Sequence, residues 1–153
     1  MDRAIFDTEI RQLLSDAAAM IPVSRFSEPA PDLNDWFRWE MDLWNLGEQI
    51  RQFCLHHNRS LSQDQAHAVL RICLNLNAGK GRQSFVLLLG KTKYSPLSEE
   101  VSSLLSDPDV QGHVINTLYK MKAPGYADRI RPFLRHPQTW IRKEAARYLR
   151  KYP

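Results

Sequence analysis

Apolar positions along this chain recur three and four residues apart, the period of one face of an α-helix. Phe6, Ile10, Leu13, Leu14, Ala17 and Ile21 predict a helix over 2–20, which Pro22 ends. Trp36, Trp39, Leu43, Leu46, Ile50 and Phe53 predict a long helix over 35–57, with Phe37, Met41 and Trp44 widening its apolar stripe. Between them PVSRFSEPAPDLN carries three prolines and reads as a long loop, suited to wrapping the first hairpin or to binding. Ala66, Val69, Leu70, Cys73 and Leu76 predict a third helix over 62–77. Ser62 and Gln65 have the spacing of a capping box there, and Leu61 is placed to pack on Ala66. Ala78-Gly79-Lys80-Gly81 breaks the chain, and a shorter helix over 82–89 carries Phe85 and Leu89.

The remainder reads as one helical hairpin written twice, over 96–121 and 126–152. Leu105 matches Leu134 and Pro108 matches Pro137; after the turn Val110 matches Ile141, Val114 matches Ala145 and Leu118 matches Leu149. The offset is 29 positions before the turn and 31 after it, and Phe85 and Leu89 extend the series backward at 29. Asp107-Pro108-Asp109 has the chemistry of a helix start, a capping carboxylate followed by proline at the first helical position. Val110, Val114, Leu118 and Met121 then share one stripe, as do Ile141, Ala145 and Leu149. Pro132, inside a short helix over 127–135, should kink or tighten it. Self-similarity at this period marks stacked helical repeats, because one hairpin cannot bury both of its faces alone.

The pattern resembles the HEAT-repeat family. The resemblance implies an all-α fold, a short right-handed α-solenoid forming one domain over 1–153. Residues 1–60 would be a degenerate N-terminal hairpin or cap and 61–153 three HEAT-like hairpins. Family members often carry a proline in the first helix of a hairpin, as at Pro132. They open the second helix with Val-Arg or Ile-Arg, whose Arg commonly pairs with acidic groups near the turn. Ile141-Arg142 fits this; Gly81-Arg82 keeps the Arg without the branched residue, and Gln111 departs from it.

Composition narrows the function classes. With 43% apolar residues and 4 Trp the chain is globular in type, and its longest apolar run, 85–89, is too short to span a membrane. The opening MDRAIFDTEIRQ lacks a signal-peptide core, which makes the cytoplasm the expected location. Two cysteines, Cys54 and Cys73, make no disulfide framework and fall on apolar faces. The net charge of +4 conceals a split: residues 1–76 sum to −4 and residues 77–153 to +8. Such polarity points to a charged partner surface.

Catalytic and cofactor chemistry finds no template. His56-His57 lie near Cys54 and His67, but there is no CxxC and no HxxxH, so no metal is expected. No His-Glu dipeptide occurs, which argues against the iron-binding enzymes among HEAT-like proteins. Gly79-Lys80-Gly81-Arg82 lacks the P-loop pattern, and no Gly-x-Ser-x-Gly is present. The expectation is no enzyme activity and no cofactor.

The basic C-terminal region carries the strongest functional signal, with 10 Lys/Arg against 2 Asp/Glu over 110–153. In HEAT-like arrays the second helix of each hairpin lines the concave face. The resemblance therefore aligns Gln83, Asn116, Lys120, Lys143, Arg147 and Arg150 as one ridge, with Trp140 and Tyr148 as its aromatic anchors. An acidic and aromatic region around Asp35, Trp36, Glu40 and Asp42 is the competing surface. The expected function is non-catalytic protein binding. Its concrete form is an inhibitor, such as an immunity protein or antitoxin neutralising a bacterial toxin; the acidic N-terminal half suits the basic groove of a nuclease toxin. The alternative is nucleic-acid binding in the manner of the DNA-alkylation-repeat proteins, since basic groups with interleaved aromatics suit nucleic acid as well.

Overall fold

Hydrophobic stripes of helical period become helices throughout the computed structural model, which describes residues 1–24 and 35–153. The described residues form eight α-helices joined by turns and 3-10 segments, with no strand. From residue 25 onward, the loop expected over 22–34 lies outside the described residues. The chain divides into two compact units, Met1–Leu88 and Leu89–Pro153. The hairpin over 61–88 therefore packs with the helices before it.

In the N-terminal unit, α1 (Arg3–Met20) starts where the Asp2 carboxylate accepts from the Ala4 N–H at 3.1 Å, and it buries Phe6, Ile10, Leu14 and Ala17. Helix α2 (Arg38–His56) runs antiparallel to it: Phe53 stacks on Phe6 at 5.2 Å, and Arg59 donates to the Met1 carbonyl at 2.7 Å. Helix α3 (Gln63–Cys73) opens with the expected capping box. The Gln65 N–H donates to Ser62 Oγ at 3.2 Å, the Ser62 N–H donates to Gln65 Oε1 at 2.8 Å, and Leu61 is buried. Helix α3 runs in the same direction as α1, since Gln65 reaches Asp7 near one end and Asn77 reaches the Val23 carbonyl near the other. A 3-10 segment, Leu76–Arg82, leads to α4 (Gln83–Leu88).

Three expectations fail here, each for a reason visible in the packing. Helix α2 begins at Arg38, not at 35, and its buried line runs through Glu40, Leu43, Gly47 and Ile50 in place of Trp39 and Leu46. Gly47 sets that rotation: a Cβ would overlap the Ser84 hydroxyl of α4, which donates to the Trp44 carbonyl at 2.9 Å. Glu40, expected on a surface, is fully buried. Phe37 at the N-cap has no side-chain acceptor, so Glu40 Oε1 takes the Phe37 N–H at 2.9 Å while Oε2 takes the Lys80 N–H at 2.6 Å. Helix α3 ends at Cys73, and Leu76 is 65% exposed beyond it. The Asn75 side chain accepts the Asn77 N–H and diverts the chain into the 3-10 segment.

The C-terminal unit holds two short–long hairpins. After a 3-10 segment, Thr92–Leu97, α5 (Ser98–Ser102) tightens into 3-10 over Ser103–Ser106 and precedes α6 (Gln111–Lys120). Helix α7 (Ala127–Ile130) tightens over Arg131–Arg135 and precedes α8 (Thr139–Lys151). That second tightening is the expected effect of Pro132, which lacks an N–H. The hairpins lie side by side in the same sense: Tyr126 donates to Glu99 at 3.1 Å and Arg129 to the Ser102 carbonyl at 2.7 Å. Helix α6 starts later than Pro108, because a turn intervenes in which the Asp107 carboxylate accepts from the Asp109 N–H at 3.0 Å. Arg142 clamps the turn before its helix through the His136 and Pro137 carbonyls at 2.6 and 3.0 Å, so carbonyls serve where the resemblance implied acidic groups.

Val114, Leu118, Ile141 and Ala145 are buried as expected, but Leu149 is only half-buried. Tyr148 takes its place, because its hydroxyl reaches the Ala123 carbonyl at 2.6 Å and fixes the rotation of α8. The equivalence of Leu105 and Leu134 fails as well: Leu105 is buried and Leu134 is 42% exposed.

Candidate functional site

The side chains of α6 and α8 that face away from the core meet along one seam. Both helices run in the same direction, so residues at matching heights pair in order. His113 meets Trp140 edge-on at 5.0 Å, Asn116 donates to Glu144 Oε2 at 3.1 Å, and the Arg147 guanidinium lies over the Tyr119 ring at 4.6 Å. Lys151 lies over the same ring at 5.6 Å. Helical spacing produces this ladder: positions 113, 116 and 119 form one line on α6, and 140, 144, 147 and 151 form one on α8.

Glu144 is the hinge of the seam. Its Oε2 accepts from Asn116 and also from Arg147 Nη2 at 2.6 Å. A half-buried carboxylate with two donors holds both side chains, and a cation over an aromatic ring adds about 0.5–1 kcal/mol. Arg147 is thereby fixed, with its Nε buried and lacking a hydrogen-bond partner. Gly112 makes room for the upper end, since a Cβ there would overlap the Trp140 ring. Burial against this ring holds the His113 pKa down to about 4, with Glu144 pulling the other way. The Trp140 indole N–H donates to Gln138 at 3.0 Å, and the residue remains 43% exposed.

The expected ridge is thus brought together in part. Lys120, Lys143 and Arg150 are exposed on these two helices, and Trp140 is half-exposed at the start of α8. Asn116 and Arg147 are present but committed to Glu144. Tyr148 is not an anchor: it is fully buried, with its hydroxyl spent on the backbone at Ala123 and Tyr126. Gln83 belongs to the other unit, at the first position of α4. The competing acidic region loses Glu40 to the core of its unit, while Asp35 and Asp42 are exposed. His113, Tyr119 and Glu144 were missed. Matching equivalent positions across hairpins hides them; the partners lie 27 or 28 residues apart, three or four positions, about one helical turn, short of the offset of 31 that holds after the turn.

No family model matches this chain, and no curated protein or solved structure does. The site's chemistry therefore rests on its own geometry. Among the described residues no group of three His, Cys, Asp or Glu is placed to hold a metal ion. The buried Cys73 thiol is pushed up to about 12, which leaves it a small apolar filler at neutral pH. No helix among the described residues is long and apolar enough to cross a membrane. What the α6/α8 face offers is one ordered, partly exposed aromatic ring, Trp140, on the same two helices as the exposed cations Lys120, Lys143 and Arg150.

Proposed function

We propose that this chain is a non-catalytic protein-binding module, HEAT-like in its hairpins and cytoplasmic in location, whose α6/α8 face docks onto an acidic patch of a partner protein. The observation that carries the reading is Trp140: a large ring, 43% exposed, seated on Gly112 and His113 at the start of a helix that also exposes Lys143 and Arg150. Rigid aromatic anchors in a charged rim supply most binding energy at protein interfaces. Inhibition is the concrete form of this function, by an immunity protein or antitoxin that occludes a bacterial toxin; that form is drawn by analogy.

The test compares capture of partners by the wild type, by Trp140→Ala and by Lys143→Glu/Arg150→Glu, each with its fold confirmed. A partner held by the wild type and lost from both variants supports the reading, and stoichiometric inhibition of that partner's activity supports the inhibitor form. Undiminished capture by both variants refutes the α6/α8 face. Tight binding of a 20-base-pair duplex, with a salt slope that falls by about one for each cation removed, supports nucleic acid instead.

A further inference from the structure

A groove of about 690 Å³ runs between α1 and α3 in the N-terminal unit. We propose that it is a second interaction site, one that takes an extended acidic peptide segment and clamps a carboxylate between Arg11 and Arg71. The inference is independent of the α6/α8 face.

Helices α1 and α3 are parallel, and Asp7 is level with Gln65, which donates to it at 2.8 Å. At 1.5 Å rise per residue, Arg11 stands about 6 Å further along one wall and Arg71 about 9 Å further along the other. The two arginines therefore line the same section of groove from opposite walls. Both are exposed, and neither has a hydrogen-bond or ion-pair partner among the described residues. The same rise puts Leu14 and Ile72 level with each other, about 10 Å along and immediately past the arginines. Both are buried and form an apolar floor. The small side chains of Ser15, Ala18 and Ala68 leave space above it among the described residues.

Charge selects the occupant. The Asp7 carboxylate is ion-paired with Arg3 at 3.0 Å and accepts a hydrogen bond from Gln65, so it is already engaged. Asp64 sits in the first turn of α3, where the helix dipole favours it, about 10 Å along the helix from Arg71. The arginine section is thus cationic and faces an apolar floor. An Asp or Glu next to a Leu, Ile or Phe fits both features, with the planar guanidiniums matching the carboxylate. A nucleic-acid backbone does not fit, because two cations beside the Asp64 carboxylate give too little phosphate neutralisation.

The experiment is selection of a random dodecapeptide library on the folded full chain. An enriched peptide is then synthesised and its affinity measured on the wild type, on Arg11→Glu/Arg71→Glu and on Ser15→Trp, which fills the groove and keeps both charges. The expected result is enrichment of an acidic residue adjacent to an apolar one. Affinity should fall at least tenfold on each variant and stay unchanged on Trp140→Ala. No enrichment, enriched peptides without an acidic residue, or affinity retained by both groove variants overturns the proposal. Since Trp140→Ala belongs to the other face, failure here leaves the α6/α8 reading standing, and the converse holds.

Discussion

Replacing Tyr148 by Phe removes one oxygen from the most constrained aromatic of the C-terminal unit. The ring keeps its packing beside Tyr152, at 5.2 Å. Lost are the donation to the Ala123 carbonyl at 2.6 Å and the acceptance from the Tyr126 N–H at 3.3 Å. Ala123 and Tyr126 are themselves buried, so water does not replace the hydroxyl. The link between the hairpins depends on these bonds, because Lys122 and Gly125 hold it in positive-φ conformations at 56° and 101°. A stranded buried backbone group costs about 1–3 kcal/mol, and the longer bond belongs at the low end, giving roughly 2–4 kcal/mol in all. For a chain of 153 residues each kcal/mol lowers Tm by about 2–4 °C, so a fall of at least ~4 °C is expected. Thermal unfolding followed by circular dichroism and calorimetry at pH 7 measures it. A Tm within about 2 °C of wild type would mean the hydroxyl is solvated, and Tyr148 would return to the candidate anchors.

Leu118→Ala, in the fully buried stripe, should cost roughly 2–5 kcal/mol in denaturant unfolding, while Leu149→Ala, only half-buried, should cost less than about 1.5; equal losses would contradict the rotation assigned to α8. Gly112→Ala should push Trp140 outward and red-shift tryptophan emission, with overpacking of about 1–3 kcal/mol partly offset by roughly 1 kcal/mol of helix propensity; an unshifted spectrum would show the ring is not seated there. His113 is neutral when folded, its pKa held at about 4 against an ordinary 6.5, so below 6.5 the unfolded chain binds a proton that the folded chain does not. Its contribution is therefore fully present above pH ~6.5 and is lost as pH falls toward 4, by at most about 3 kcal/mol at ~1.4 kcal/mol per unit. His113→Gln should flatten that stretch of the stability curve, and identical slopes in both proteins would place the imidazole in solvent.

Helix type and approximate extent were legible because apolar periodicity is a local signal: α1, the capping box of α3 and the tightening at Pro132 all appeared where the residues indicated. The rotation of each helix was less legible, because non-local partners set it. Periodicity placed Trp39 and Leu46 inward on α2, but Gly47 admits Ser84 from a distant helix and turns the buried line onto Glu40 and Gly47. On α8, Leu149 and Tyr148 are adjacent and either satisfies the pattern. The choice falls to a hydrogen bond with Ala123, 25 residues away, which no local window contains. The candidate site inherits the same division. Its exposed cations were legible from composition, whereas Glu144 and Tyr119 needed the cross-helix register.

The seam also changes which residues can supply affinity. Arg147 looks like the central cation of a binding ridge, yet its guanidinium already holds Glu144 at 2.6 Å and covers Tyr119 at 4.6 Å. A partner carboxylate recruiting it would have to break the pair with Glu144 and leave that half-buried acid short of a donor, a loss that offsets much of any new ion pair. Lys120, Lys143 and Arg150 carry no such commitment among the described residues, but exposed flexible cations mainly accelerate encounter and contribute little once docked. Trp140 differs from both groups: its ring is already ordered by His113 and the Gln138 hydrogen bond, so docking against it costs little further side-chain entropy. Association with the partner should therefore divide by residue. Lys143→Glu/Arg150→Glu should lower the on-rate and its salt dependence, while Trp140→Ala should act on the off-rate and carry most of the loss in affinity. If Arg147→Ala weakened binding more than Trp140→Ala in a variant of unchanged stability, the seam would have to open on docking, and the rigid-face account of this surface would fail.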